Sequence, residues 1–259
     1  MDNIERFISY INESSKIVFF GGAGVSTESG IPDFRSKDGL YNQPDVRFEK
    51  YSPEYLLSRE CLYNTPKVFY EFYRQKMDTR DIEPNITHKT LAFLESIGKV
   101  SAVVTQNIDG LHQKAGSKNV YEIHGTTRRN YCGYCLKFFA EDYIFESEDN
   151  IPKCKYCGHQ VRPAVTLYGE NLPVKQVSDA IKAIEEADML IIGGTSLSVY
   201  PACEFVDYFR GKHKVIINKE ELNIGISEEN DIVFTDELGN IFNEVLNHYI
   251  EAGMCNDLS

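Results

Sequence analysis

Two cysteine pairs, Cys132-Gly-Tyr-Cys135 and Cys154-Lys-Tyr-Cys157, carry the most specific chemistry in the chain. Knuckles of this kind, paired at this separation, close a tetrahedron of thiolates around Zn(II). Four sulfurs fill the coordination shell and leave no position for water, so one structural ion is predicted, folding a module too small to fold alone. His159 beside the second pair then reads as a solvated loop histidine. Cys61, Cys203 and Cys255 stand outside the ligand spacing and read as structural thiols.

A second chemistry starts at Gly22-Ala-Gly24, directly after the apolar run KIVFF. A glycine turn behind a strand lets a phosphate approach the backbone, although a purely structural turn has the same look. The third glycine of a dinucleotide fingerprint would fall at Thr27, and Asn218 stands where a dehydrogenase places an acid for the ribose. Hydride transfer is therefore poorly supported. The stretch Thr105-Gln106-Asn107-Ile108-Asp109-Gly-Leu-His112, with His124 after a further short strand run, brings an amide, a carboxylate and an imidazole instead. That set suits a reaction at the ribose, because a histidine near pH 7 accepts a proton from a sugar hydroxyl. His112 is a second candidate for a direct role. His88, His213 and His248 read as hydrogen-bonded structural residues.

The elements that must position these groups follow from hydrophobic periodicity. Ile4, Phe7, Ile8 and Ile11 recur at helical spacing. The runs at 16–20, 100–107, 188–194, 213–218 and 231–235 are apolar and β-branched, and helical patterns lie at 174–187 and 237–251. Alternating strands and helices predict an α/β fold with a doubly wound, parallel, Rossmann-like sheet. Ligands then sit beyond the carboxyl ends of the strands, where GGAG, TQNIDGLH, GGTSLS and NKEE converge. Two segments interrupt the alternation. Residues 37–84 are predicted to form a helical insertion, and 127–160 the zinc module, leaving 1–36, 85–126 and 161–250 as the discontinuous Rossmann-like domain.

Composition limits the partners. Lys and Arg number 27 against 39 Asp and Glu, a net charge of −12, which argues against broad attraction to nucleic acid. No apolar run approaches the roughly 20 residues of a membrane helix, and the N-terminal residues lack the order of a secretory signal. Cys-x-x-Cys pairs used for metal point to a reducing compartment, so a cytoplasmic protein is expected. A monomer is the default.

The motifs GAGVSTESGIPDFRS, TQNIDGLHQKAG, EIHG, the two cysteine pairs, RPAVTLYGENLP and GTSLSVYPA resemble, in order and spacing from about Lys16 to Phe234, the sirtuin family of NAD-dependent protein lysine deacylases. The resemblance is to compact bacterial deacetylases above all. It implies that the acyl-lysine carbonyl oxygen attacks the ribose as nicotinamide leaves, giving deacylated lysine and 2'-O-acyl-ADP-ribose. By this resemblance Ala23 meets the cofactor through its backbone, and Thr27, Phe34 and Arg35 belong to a mobile loop. Ile108 and Asp109 hold the nicotinamide carboxamide. Gln106 and Asn107 orient the ribose and a water, and His124 is the general base. Thr195, Ser196 and Asn218 line the phosphate and adenosine side, with Ile232 near the adenine. The peptide is expected to add as a strand beside Val165, Thr166, Tyr168, Gly169, Glu170 and Asn171, with the GTSLSVYPA region opposite.

Departures from the family pattern bear on the acyl group. Desuccinylating relatives carry Tyr-x-x-Arg in the helical insertion; here Tyr70 matches, Tyr73 stands at the arginine position and Arg74 comes one residue late, pointing elsewhere on a helix. Acetyl is therefore expected over succinyl or malonyl. Thr166 stands where valine is frequent, Tyr168 where phenylalanine is frequent, and Gly21 where threonine is frequent, which would loosen the glycine loop. The alternatives are a deacylase for longer or acidic acyl groups, mono-ADP-ribosyl transfer to protein, and a module that senses NAD or ADP-ribose without turnover.

Overall fold

The computed structural model describes residues 2–255 apart from 35, 38, 43, 44 and 223. Among them, nine strands form: β1 (Ile17–Gly21), β2 (Val100–Thr105), β3 (Val120–Glu122), β4 (Gly125–Cys132), β5 (Phe138–Ala140), β6 (Val161–Val165), β7 (Met189–Gly193), β8 (His213–Ile217) and β9 (Asp231–Phe234). Six of them make one parallel sheet in the order β3-β2-β1-β7-β8-β9. The order runs outward in one direction from β1 and in the other from β7, so the switch point of this doubly wound sheet lies between those two strands.

The strands read as unbroken apolar runs because both faces are covered. Along β1, Ile17 and Phe19 pack with the helices Asn3–Glu13, Ile86–Ser96 and Leu238–Glu251. Val18 and Phe20 point the other way, into a core shared with Ala180 and Ile184 of the helix Val174–Glu186. Local chemistry sets the helix starts. Asp2 and Glu5 form a reciprocal capping box, and Asn85 caps Ile86–Ser96 while its amide donates to the Val25 carbonyl. That last bond ties a core helix to the glycine turn.

Two excursions leave the sheet and share a separate core. The insertion folds into the helices Pro53–Leu56, Arg59–Asn64 and Pro66–Lys76, each opened by a hydroxyl residue and two of them by proline in the first turn. The other excursion is an antiparallel sheet, β5-β4-β6, with a register shift between Thr126 and Asn130. Phe69, Tyr70 and Tyr73 pack against Cys132, Ile144, Cys154 and Val161 across the two. Arg74 donates to the carbonyls of Ile144 and Asp149, so it is turned toward this module and away from the cleft.

His112 is a core residue. It lies in the helix Leu111–Ala115, is 1% exposed, and sits with its ring 4.6 Å from that of fully buried His88. This corrects the candidacy of His112 for a direct role, which its polar neighbours suggested and its burial removes. His88 Nδ1 lies 3.0 Å from Asn85 Oδ1, while both His112 nitrogens and His88 Nε2 have no hydrogen-bond partner among the described residues. Burial pushes the His88 pKa down to about 4, and burial with repulsion from His88 holds His112 well below its ordinary value. Below pH 6.5 the unfolded chain takes up protons that the folded chain refuses, so stability falls as pH drops. A cost of roughly 2 kcal/mol is expected from His88 by pH 5. Urea midpoints at pH 7 and pH 5 check this: the fall should shrink in a His88→Gln/His112→Gln variant, and an equal fall would refute the assignment.

Candidate active site and metal centre

Two glycine turns meet at the switch point. The amide of Gly24, which opens the short helix Gly24–Thr27, donates to the Gly194 carbonyl at 2.8 Å, and a Cβ on Gly24 would lie 2.8 Å from Gly194 Cα. Gly194 itself has φ +58°. Both positions require glycine, for close approach at one and for backbone conformation at the other. Gly21 behaves differently from the expectation of a loosened loop. It is the last residue of β1, and a side chain there would run into Phe19 and Val25.

The loop after β2 supplies the polar groups. Gln106 takes the Gly21 carbonyl through its amide and reaches Thr195 Oγ1 with its side chain at 3.1 Å, joining the loops behind β1, β2 and β7. Asn107 Nδ2 donates to Ser26 Oγ at 3.0 Å, and Ser26 Oγ donates to Asp109 Oδ2 at 2.7 Å. Asp109 Oδ1 accepts from the Leu111 amide. The Asp109 carboxyl is 5% exposed, and burial raises its pKa against the pull of those donors. Asp109 thus sits behind Asn107 and fixes that amide through Ser26, a residue that sequence reasoning missed. The only signal for Ser26 was a small hydroxyl within the glycine turn.

His124 follows β3. Its Nδ1 lies 2.9 Å from the Gln106 carbonyl, an acceptor only, so Nδ1 carries the proton and Nε2 keeps the basic lone pair. Burial lowers its pKa, partly offset by that bond, and the ring is neutral near pH 7. An oriented neutral imidazole of this kind is suited to general-base work.

Gln106, Asn107, Thr195 and His124 open on one cleft of about 2080 Å³, which Ser26 and Asp109 support without lining. Ala23, Thr27 and Phe34 line it from the glycine turn, and Gln106, Asn107, Ile108 and His124 from the middle. Thr195, Ser196 and Asn218 line the side of β7 and β8, and Val165, Thr166, Tyr168, Gly169, Glu170 and Asn171 the side of β6. Arg35 lies outside the described residues. The Ile232 side chain is 2% exposed in β9 and packs with the helices Asn3–Glu13 and Leu238–Glu251, and it is not among the residues that line the cleft. Glu170 lines the cleft, but its carboxylate is held by the Arg162 guanidinium and the Leu167 amide, so it braces the loop. Tyr168 has its amide and carbonyl bonded to Leu57 and Arg59. Its hydroxyl lies 3.0 Å from that of Tyr41, which in turn packs against Phe34.

The four cysteines converge. The Sγ atoms of Cys132, Cys135, Cys154 and Cys157 all lie within 4.8 Å of one another, with Cys132 3.4 Å from Cys157 and Cys135 3.6 Å from Cys154. Zn–S bonds of about 2.3 Å in a tetrahedron put sulfurs about 3.8 Å apart, so this cluster fits Zn(II) closely. The amides of Tyr134 and Cys135 point at Cys132 Sγ, stabilising thiolate charge. Four thiolates would close the coordination shell and leave no position for water or substrate, so the ion would supply cross-linking only.

A doubly wound sheet with paired glycine turns at its switch point, an oriented neutral histidine and an attached four-cysteine module defines an α/β protein of the dinucleotide-cleft class. The Sir2 family model matches residues 22–201, and the chain belongs to that family. It is 50% identical over 246 residues to the NAD-dependent protein deacetylase of Clostridium acetobutylicum, covering 95% of this chain and 99% of the relative. The NAD-dependent protein deacetylase of Clostridium perfringens is 49% identical over 247 residues, covering 95% and 99%. Among solved structures, a Sir2 homologue in complex with NAD superposes with a TM-score of 0.83 at 35% identity, covering 97% of this chain and 95% of that one. Sir2 bound to acetylated peptide gives a TM-score of 0.81 at 32% identity, covering 98% and 100%.

Proposed function

We propose that this protein is an NAD-dependent protein lysine deacetylase, releasing nicotinamide and 2'-O-acetyl-ADP-ribose. The observation that carries the reading is His124, neutral and with Nε2 basic, set between the glycine turns and the β6 segment. NAD, when bound, supplies the ribose that accepts the acetyl group. His124 takes the proton from a ribose hydroxyl. Asn107, oriented through Ser26 by Asp109, and Gln106, oriented by Thr195, hold the ribose and a water. Ile108, which lines the cleft, meets the leaving nicotinamide, and Asp109 acts from behind by holding Asn107 through Ser26. Ala23 and Thr27 meet the cofactor, Thr195, Ser196 and Asn218 its phosphate and adenosine side, Phe34 shields the reacting face from water, and Arg35 serves the phosphates and ribose.

The peptide adds as a strand along the β6 segment. The Tyr168 backbone is already bonded, so Gly169 and Asn171 are the pairing positions, and the segment 194–202 closes the other side. Acidic acyl groups lack their cation, since Arg74 is spent on carbonyls of the zinc module. No described helix is long and apolar enough to cross a membrane. We place the activity in the cytoplasm, as a monomer acting on protein lysines and not on nucleic acid.

Mass spectrometry of the protein with NAD and acetyl-lysine peptide tests this. Loss of acetyl with stoichiometric 2'-O-acetyl-ADP-ribose is expected. Bound NAD with no acetyl lost would indicate a sensor, and ADP-ribose attached to protein would indicate the transferase alternative.

A further inference from the structure

Tyr73 is fully buried in the helix Pro66–Lys76, yet it lines the cleft beside Leu57, Ile108 and Val165. Its ring is held in one orientation by Phe69 and Phe145, whose rings stack with it at centroid distances of 5.7 Å and 5.5 Å and interplanar angles of 14° and 12°. Its hydroxyl has no hydrogen-bond partner among the described residues. The neighbouring Tyr70 shows the usual arrangement, donating to the Val161 carbonyl and accepting from Gln160 Nε2. A buried donor without an acceptor is an exception in folded proteins and needs an account. Burial holds the phenol of Tyr73 above its ordinary range, so it is neutral and a donor at any physiological pH.

What this donor can recognise follows from its surroundings. The adjoining wall is apolar, and the neighbouring Arg74 is turned away. Arg162, whose charge is felt at the Tyr73 phenol, is committed to Glu170, so a carboxylate arriving there would be buried without a free counter-charge, whereas a neutral hydroxyl or keto oxygen needs one hydrogen bond and no more. Acetyl has no such oxygen beyond its amide carbonyl.

Resting on the deacylase reading above, we propose that Tyr73 is a specificity-determining residue: it donates a hydrogen bond to a neutral oxygen on the acyl chain, so that the protein removes hydroxyacyl groups from lysine in preference to hydrocarbon acyl groups of the same length. The class is that of 3-hydroxybutyryl- and lactyl-lysine, set against butyryl- and propionyl-lysine. Sites that hydrogen-bond a substrate hydroxyl discriminate more strongly than apolar pockets, which barely reject an added hydroxyl.

The test measures kcat/KM with full-length protein, NAD and peptides identical but for the acyl group, in the matched pairs butyryl with 3-hydroxybutyryl and propionyl with lactyl. The hydroxyacyl member of at least one pair should be favoured by roughly tenfold or more, and Tyr73→Phe should bring that ratio to about one. Tyr70→Phe is the control. It removes a bonded hydroxyl that lines no part of the cleft, and should lower the thermal midpoint while leaving the ratio as in wild type. No preference in wild type, or a preference that survives Tyr73→Phe, overturns the inference while leaving the deacetylase reading intact. Failure to remove any acyl group, acetyl included, overturns the reading and the inference together.

Discussion

Replacing His124 with alanine should lower turnover of acetyl-lysine peptide by about 100- to 10,000-fold, the range associated with loss of a general base. The side chain bonds one backbone carbonyl, that of Gln106, so the variant should fold, losing on the order of 1 kcal/mol at most. NAD affinity should change little, because the glycine turns and the loops behind β7 and β8 are untouched. The pH profile gives a second reading. In wild type, kcat/KM should fall with decreasing pH through a pKa below 6.5, since the imidazolium can take no proton and burial disfavours it. The variant should lack that limb. Turnover surviving within a few-fold would remove His124 from the chemistry, and loss of NAD binding in parallel would show that its part is structural.

Zinc removal should have a comparably large effect on stability. Metal analysis should find one zinc per chain, and Cys154→Ser or a strong chelator should lower the thermal midpoint by roughly 10–20 °C, as a loss of about 5 kcal/mol does in a chain of this size. The expectation rests on how little else holds the module together. It has three short strands, and Cys132 and Cys154 are themselves part of its buried core. Metal affinities in such modules rival the whole stability of a domain. Circular dichroism is the suitable probe, because the chain contains no tryptophan. An unchanged midpoint in protein shown to be metal-free would exclude the structural role.

What the sequence revealed, and what it hid, has a physical pattern. Strands covered on both faces are continuous apolar runs, so β1, β7 and β8 are visible without an alignment. Ile232 was placed by likeness to a family pattern, and only packing shows that its side chain lies in the core, on the edge strand β9, while Val233 beside it is exposed. The cysteine pairs were legible because ligand spacing is local. The relay from Asn107 through Ser26 to Asp109 was not, because its hydrogen bonds join residues some 80 positions apart. Glu170 illustrates a further limit. A carboxylate in a substrate-binding motif looks available until its partner, Arg162, is found in the preceding strand. Tyr73 could be numbered against a family pattern, but only packing shows that its hydroxyl is unmatched.

The common core of the two excursions bears on how this protein can be taken apart and recombined. The helix carrying Tyr73 and the segment carrying Phe145 are far apart in sequence, yet their rings stack, and Arg74 fastens one to the other through two carbonyls. A chimera that exchanged the cysteine module alone for that of a relative would inherit half of an interior and leave the other half unmatched. Heritable variation in the wall beside Tyr73 must therefore arise as compensated pairs of changes on both excursions. Grafting acyl preference between relatives requires moving them together.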